Sequence, residues 1–175
     1  MLLALATSAG CLITDLIPYT PEQPVTPPII RDDQGVTRPR LGDLVNIDVG
    51  QNVEFRVPVD DENTADPLQY AFFINQPREC VDDGGRDCQP ERGFLAVDPN
   101  GSVRRIISVT RPFRSTGCFR VELWVSSRFR ASGDFHTPVR SGDVDFATWW
   151  VFVRDPPGMG DGGAPDPSRC MGVQN

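Results

Sequence analysis

The residues best suited to chemistry in this chain are its five cysteines and its single histidine. Thiolates can bind zinc, form disulfides or act as nucleophiles, and each role requires its own spacing and neighbours. Zinc sites are typically marked by a Cys-x-x-Cys pair or several histidines, but the sequence has no such pair and no partner for His136. It also lacks the Gly-x-Ser-x-Gly and His-Glu-x-x-His motifs of hydrolases. We therefore predict a protein that is not an enzyme and uses no metal or other cofactor.

Four of the cysteines form an even set that suits two disulfides in an oxidising compartment. Three pairings of Cys80, Cys88, Cys118 and Cys170 are possible. We favour a bond between Cys80 and Cys88, because Asp83-Gly84-Gly85 between them can turn the chain back on itself. By elimination, the second bond then joins Cys118 to Cys170.

The fifth cysteine, Cys11, follows a short apolar run and the small residues Ala9 and Gly10. This arrangement resembles the lipobox of bacterial lipoproteins. In that family the leader is removed and the cysteine is acylated, so the resemblance implies that Cys11 carries the lipid. Leu12 stands where an aspartate is associated with retention in the inner membrane, which favours the outer membrane. The alternative is an unprocessed N-terminus with a free thiol.

The order of these features predicts four regions. Residues 1–11 are the leader and lipidation site, and residues 12–43 are a proline-rich tether with an extended conformation. Residues 44–155 form the folded domain, and residues 156–175 form a tail rich in glycine and proline. The leader is much shorter than the roughly 20 apolar residues that span a bilayer, so we expect no transmembrane helix.

Within the domain, apolar and polar residues alternate in short runs, most clearly at Val53–Val59, Leu68–Ile74 and Phe119–Val125. The 17 prolines and 16 glycines of the chain interrupt it too often for long helices. Together these patterns predict an all-β fold, an immunoglobulin-like antiparallel β-sandwich of about seven strands stapled by disulfides. Residues 50–57 and 68–72 are similar to the second and third strands of bacterial Ig-like and PKD-like surface modules, a resemblance that concerns the fold only.

In such a sandwich the third, sixth and seventh strands lie side by side. Their faces opposite the core would carry an aromatic stripe and an arginine, as in many contact surfaces. The candidate binding face comprises Phe73, Arg120, Trp124, Trp149 and Trp150, with only one of the two adjacent tryptophans facing outward. Cys118 has the same parity as Trp124, so the alternative is that the tail, held by a disulfide, or a loop covers this stripe.

The charges of the chain are unevenly distributed. The formal net charge of −7 argues against attraction to nucleic acid or to an anionic membrane surface. In contrast, the stretch from Arg104 to Arg130 contains seven arginines and one glutamate. These arginines either attract an acidic partner or balance acidic loops, and we favour the second interpretation. The acidic loop of residues 60–66 offers oxygen ligands for calcium, but it lacks EF-hand spacing and we expect it to be solvated.

These observations predict a noncatalytic, lipid-anchored protein of the bacterial cell envelope. Its domain would bind or support another envelope component in the periplasm or at the outer membrane, most simply a protein. Glycan binding is a weaker alternative, and nucleic acid is not expected. A different class of function, a small secreted hydrolase whose two carboxylates are brought together only by folding, also stays open.

Overall fold

A computed structural model describes residues 26–75, 91–130, 137–156 and Cys170. In this part of the chain, the alternating residues of the sequence form eight β-strands. The strands are β1 Ile29–Ile30, β2 Leu44–Asp48, β3 Asn52–Asp60, β4 Leu68–Asn75, β5 Glu91–Leu95, β6 Arg104–Pro112, β7 Gly117–Ser126 and β8 Asp145–Arg154.

The strands form two sheets with the order β1-β3-β6 and β2-β8-β7-β4-β5. If β1 and β2 are counted as two halves of the first strand, the third, sixth and seventh strands are adjacent, as in the immunoglobulin fold. The predicted all-β, immunoglobulin-like sandwich is therefore confirmed. One pairing departs from the antiparallel prediction, because β2 runs parallel to β8. The cause is that the first strand is divided between the sheets: its first half, β1, pairs with β3, and its second half, β2, crosses to the five-stranded sheet and pairs with β8 at its edge.

The inner faces of the two sheets enclose a core of valines and aromatic residues. The Phe55 ring lies 5.1 Å from Phe72 and 5.2 Å from Trp149, measured between centroids in tilted arrangements. Trp149 is fully buried, and its Nε1–H donates a 2.9 Å hydrogen bond to the carbonyl of Pro39. Burying large apolar surfaces of this kind is the main source of stability in a sandwich.

Part of the segment before β2 packs against the sandwich, where Pro28, Ile30 and Thr37 are buried. Ile30 is buried, and its N–H donates to Asp145 Oδ2 at 2.7 Å. Arg38 and Arg56 exchange backbone hydrogen bonds of 2.8 and 2.6 Å. The prediction for this segment rested on its prolines and overlooked Ile29 and Ile30. These two isoleucines form a short strand that pairs with β3.

Several predicted features fall outside the described residues: Cys11, Cys80, Cys88 and His136. Among the described residues, no helix is both long enough and apolar enough to cross a membrane. The same residues contain no group of three or more histidine, cysteine, aspartate or glutamate side chains suited to holding a metal ion.

Candidate functional site

The outer face of the five-stranded sheet is the side away from the core. The alternation of side chains along β7 determines which of its residues lie on this face. Phe119, Val121, Leu123 and Val125 point into the core, so the residues between them point outward. The register of the sheet then places Trp124 between Ala71 of β4 and Phe146 of β8. Trp124 is therefore central to this face.

Trp124 and Phe146 form a stacked pair on the outer face. Their ring centroids are 4.8 Å apart and their planes differ by 17°. Phe146 remains 56% exposed and, with Phe94 at 69%, is one of two exposed phenylalanines among the described residues. Sequence reasoning missed Phe146, although it has the same strand parity as Trp150.

The two adjacent tryptophans of β8 have different roles. Trp150 is half-buried on the outer face, opposite Arg120 of β7. Trp149 belongs to the core and shares its face with Ala147, Val151 and Val153. Trp149 must therefore be removed from the candidate binding face, because side chains of successive strand residues point in opposite directions.

Phe73 is on the predicted outer face, but its side chain is buried there. It forms a small cluster with Ala71 and Phe129, against which Trp124 packs. Phe129 comes from the loop between β7 and β8, which folds back over β4. The conformation of this loop has no signal in the sequence, because Phe129 is a single apolar residue among serines and arginines.

The covering loop contains a short antiparallel arm. Phe129 forms an isolated β-bridge with Pro138, and the arm is closed by hydrogen bonds from Arg130 N to Thr137 O (3.1 Å) and from Val139 N to Arg128 O (2.8 Å). We refer to residues 128–130 and 137–139 as the β7–β8 arm. The Phe129 N–H also donates to Gln69 Oε1 at 3.1 Å, which ties the arm to β4.

The carboxylate of Glu122 lies beside the aromatic stack. It pairs with the Arg120 guanidinium and accepts a 3.3 Å hydrogen bond from Trp124 Nε1–H. The side chain of Glu122 is only 3% exposed, whereas that of Arg120 is 49% exposed. A buried carboxylate requires such partners. Glu122 therefore orients both Arg120 and Trp124 while leaving the guanidinium accessible.

The opposite end of the outer face is closed by the Cys118–Cys170 disulfide, with a Cα–Cα distance of 5.3 Å. This bond agrees with the favoured pairing. Cys118 lies opposite Phe152, which faces outward yet is only 5% exposed. The outer face thus has a covered end at Cys118 and an open end at Phe146.

Two further carboxylates are buried at the end of the sandwich formed by the β3–β4 and β7–β8 loops. Asp61 accepts hydrogen bonds from the Asn63 N–H at 3.0 Å and from Arg105, and burial raises its pKa. Asp143, whose charge also raises the pKa of Asp61, accepts hydrogen bonds from Ser126 and Ser127. Both carboxylates are engaged inside the protein, at 3% and 2% exposure. This arrangement stabilises loops and leaves no open acid–base pair for a substrate.

The first arginines of the basic stretch balance acidic residues. Arg104 pairs with Asp33 and Asp60 at 2.7 and 2.8 Å. Arg105 pairs with Asp61, and Arg111 pairs with Glu91. The acidic loop is thereby partly neutralised by β6 rather than left as a set of free calcium ligands.

Comparisons with known proteins give low similarities. No protein-family model and no curated protein match the chain. Among solved structures, the CARDB domain of a Pyrococcus furiosus protein in complex with di-metal ions is 14% identical, with a TM-score of 0.39 over 65% of this chain and 86% of that chain. An ASH/PapD-like domain of human CEP192 is 14% identical, with a TM-score of 0.38 over 87% of this chain and 99% of that one.

A third similar structure comes from the complex of Zinc 2-glycoprotein and prolactin inducible protein from human seminal plasma. It is 8% identical, with a TM-score of 0.40 over 77% of this chain and 99% of that one. Likenesses at these identities and TM-scores say nothing about a ligand or partner of this chain. The assignment of the fold rests on the strand order described above.

Proposed function

We propose that this protein is a noncatalytic, lipid-anchored component of the bacterial cell envelope, and that the open end of the outer face binds another envelope protein. The observation that carries the proposal is the exposed Phe146, stacked on Trp124 beside the accessible guanidinium of Arg120. Aromatic residues and arginine are enriched in protein interfaces and dominate their binding energy.

The rigidity of this group of residues also favours binding. Trp124 is fixed by stacking and by its hydrogen bond to Glu122, and Arg120 is held by the same carboxylate. Side chains that are already ordered lose less conformational entropy on association, so more of the contact energy appears as affinity. A noncatalytic role agrees with the burial of Asp61 and Asp143, which keeps the alternative carboxylate pair away from a substrate.

The lipid anchor and the envelope location rest on the lipobox-like segment that ends at Cys11. Several acyl chains on one residue give stable membrane attachment, whereas a single chain gives only marginal binding. An anchored domain would meet its partner within the envelope, where tethering raises the effective concentration of the two.

Site-specific photocrosslinking in intact cells tests the binding face. A photoreactive phenylalanine analogue replaces Phe146 in the full chain, and in a matched control it replaces Ile106. Both residues are exposed, at 56% and 42%, but Ile106 points outward from the three-stranded sheet. We expect a discrete crosslinked protein from position 146 and none of that mass from position 106.

The same experiment includes Arg120→Ala in the background of the crosslinker at position 146, which should weaken the crosslink by removing the oriented guanidinium. Three results would contradict a protein-binding role: no crosslink at position 146, equal crosslinks at both positions, or a crosslink to lipid alone.

A further inference from the structure

We propose that the partner of the outer face presents an acidic segment, and that the arginines of the β7–β8 arm bind it. This inference rests on the proposed function, since it specifies the chemistry of the same contact surface. It is carried by the arrangement of charges beside the Trp124–Phe146 stack.

The arm presents arginines to solvent. Phe129 points toward β4 and packs on Ala71 and Phe73. Because side chains alternate along an extended segment, Arg128 and Arg130 on either side of Phe129 point away from the sheet. Both are exposed, as is Arg140 at the end of the arm. Trp124 packs against the Phe129 cluster, so the arm lies beside the aromatic stack.

Several other arginines of the described residues are already engaged by acidic side chains. Ion pairs between described residues engage Arg31, Arg40, Arg104, Arg105, Arg111, Arg120 and Arg154. Arg128, Arg130 and Arg140 take part in none of these pairs. Within the basic stretch, acidic residues thus balance Arg104, Arg105, Arg111 and Arg120. Between described residues, no such ion pair accounts for Arg114, Arg128 or Arg130.

The described carboxylates of the β7–β8 loop and the start of β8, Asp143 and Asp145, are engaged by hydrogen bonds within the protein. Asp143 is buried and accepts hydrogen bonds from Ser126 and Ser127. Asp145 accepts hydrogen bonds from the backbone N–H groups of Ile30 and Phe146. The loop therefore buries or engages its described negative charges and exposes its positive ones. A protein with a net charge of −7 would otherwise repel an acidic partner, so this local reversal marks where such a partner can approach.

The shape of the face favours an extended peptide over a lipid surface. The arm lies over β4, while the Trp124–Phe146 stack lies over β7 and β8, so the face is stepped. An extended chain can lie along the step and contact both sides. There, planar guanidinium groups can pair with its carboxylates in bidentate geometry, while its apolar side chains meet Phe146.

Fluorescence anisotropy with a defined probe tests the inference. The probe is a labelled short peptide of aspartate, glutamate and phenylalanine, and its control has asparagine and glutamine in place of the acids. For the full chain at low salt we expect binding of the acidic peptide only, weakening as salt screens the charges. The double variant Arg128→Ala/Arg130→Ala should bind about tenfold more weakly, as expected for truncated charge contacts.

Arg114→Ala provides the matched control. Arg114 is exposed in the turn between β6 and β7, at the other end of the sandwich, and is not among the ion-paired arginines. It should change affinity by less than about twofold if position, and not total charge, matters. Equal losses per arginine at the two places would overturn the inference. The inference would also be overturned if the acidic peptide did not bind, or if the protein bound vesicles containing phosphatidylglycerol and not the peptide.

The crosslinking experiment separates this inference from the proposed function. If the crosslink from position 146 persists unchanged in the Arg128→Ala/Arg130→Ala variant, the face binds a protein but the arm does not select an acidic one. If the crosslink is lost in that variant and kept in Arg114→Ala, both proposals are supported. If no crosslink forms even in the parent chain, the proposed function itself fails.

Discussion

At the scale of single residues, Asp60 and Asp61 are neighbours in sequence with opposite electrostatic environments. The hydrogen bond from Arg104, reinforced by Arg31, lowers the pKa of Asp60 below its ordinary value of 3.8. Burial raises the pKa of Asp61 despite its hydrogen bond from the Asn63 N–H. The first carboxylate is therefore stabilised as an anion, whereas ionisation of the second opposes folding.

Replacing each aspartate by asparagine should reveal these opposite signs. Because the folded-state pKa of Asp60 is lowered, its contribution is present above pH 3.8 and is lost as the pH falls through the folded-state pKa. Asp60→Asn should therefore reduce the free energy of unfolding by about 0.5–1 kcal/mol at neutral pH, as for a solvent-screened ion pair, and by less in acid. Urea denaturation over a pH series measures the difference.

Asp61→Asn is the internal comparison for that series. The folded-state pKa of Asp61 is raised, so protonated Asp61 favours folding at low pH and this contribution is lost as the pH rises through the folded-state pKa. The stability of Asp61→Asn relative to the parent chain should therefore increase with pH, while that of Asp60→Asn decreases. Parallel trends for the two variants would contradict the assigned environments.

At the scale of elements, the alternating runs of the sequence predicted the long strands of the sandwich but not β1. Long alternating runs such as Val53–Val59 specify both a strand and its buried face, so β3, β4 and β7 were correctly placed. Strand β1 has only two residues, Ile29 and Ile30, and its pairing with β3 depends on contacts distant in sequence. Local alternation carries no information about such a contact.

The candidate face shows the same limit. Alternation indicated that Trp124 and one tryptophan of β8 face outward. Which of the two tryptophans faces outward depends on the orientation of β8 in the sheet, and the structure assigns Trp150 to the outer face and Trp149 to the core. The covering of Phe73 depends on the β7–β8 loop, which contributes the buried Phe129 to the cluster. Alternation of apolar and polar residues therefore predicts which face of a strand a residue lies on. Whether a loop then buries that face depends on tertiary contacts that alternation does not encode.

The arm should depend on Phe129. Phe129→Ala removes a side chain that is only 6% exposed, and we expect it to reduce the free energy of unfolding by about 3 kcal/mol, the lower end for a buried phenylalanine in a small cluster. Hydrogen exchange should accelerate at the arm and at β4 amides near Phe73. Val139→Ala, at a 46% exposed position of the same arm, should change neither quantity measurably. Similar effects of the two variants would show that Phe129 does not anchor the arm.

At the scale of the whole molecule, charge is divided between its two sheets. On the β6 side, arginines and acidic residues pair with one another, so that surface is internally balanced. On the outer face of the five-stranded sheet, the exposed arginines belong to an arm that lies beside an aromatic stack. A domain with one balanced face and one unbalanced face has a preferred direction of approach for a charged partner.

The disulfide and Cys11 are two positions in the chain with separate expected roles, one in the stability of the domain and one in membrane attachment. The Cys118–Cys170 disulfide closes a sequence separation of 52 residues, for which loop entropy alone corresponds to about 4 kcal/mol of stabilisation. Cys11, in contrast, lies before the first described residue and would act only as the site of lipid attachment. The two positions should therefore give separable effects.

Cys11→Ala should release the protein from the membrane fraction without lowering the denaturation midpoint of the domain, because the lipid contributes to attachment and not to packing. The double variant Cys118→Ala/Cys170→Ala should remain in the membrane fraction but lose stability. Fractionation, non-reducing peptide mass spectrometry and denaturation of the extracted protein measure these outcomes together. If Cys11→Ala stays in the membrane fraction, or if the parent chain keeps an intact, unmodified N-terminus, the proposed lipid anchor is wrong and the binding face must be tested in another compartment.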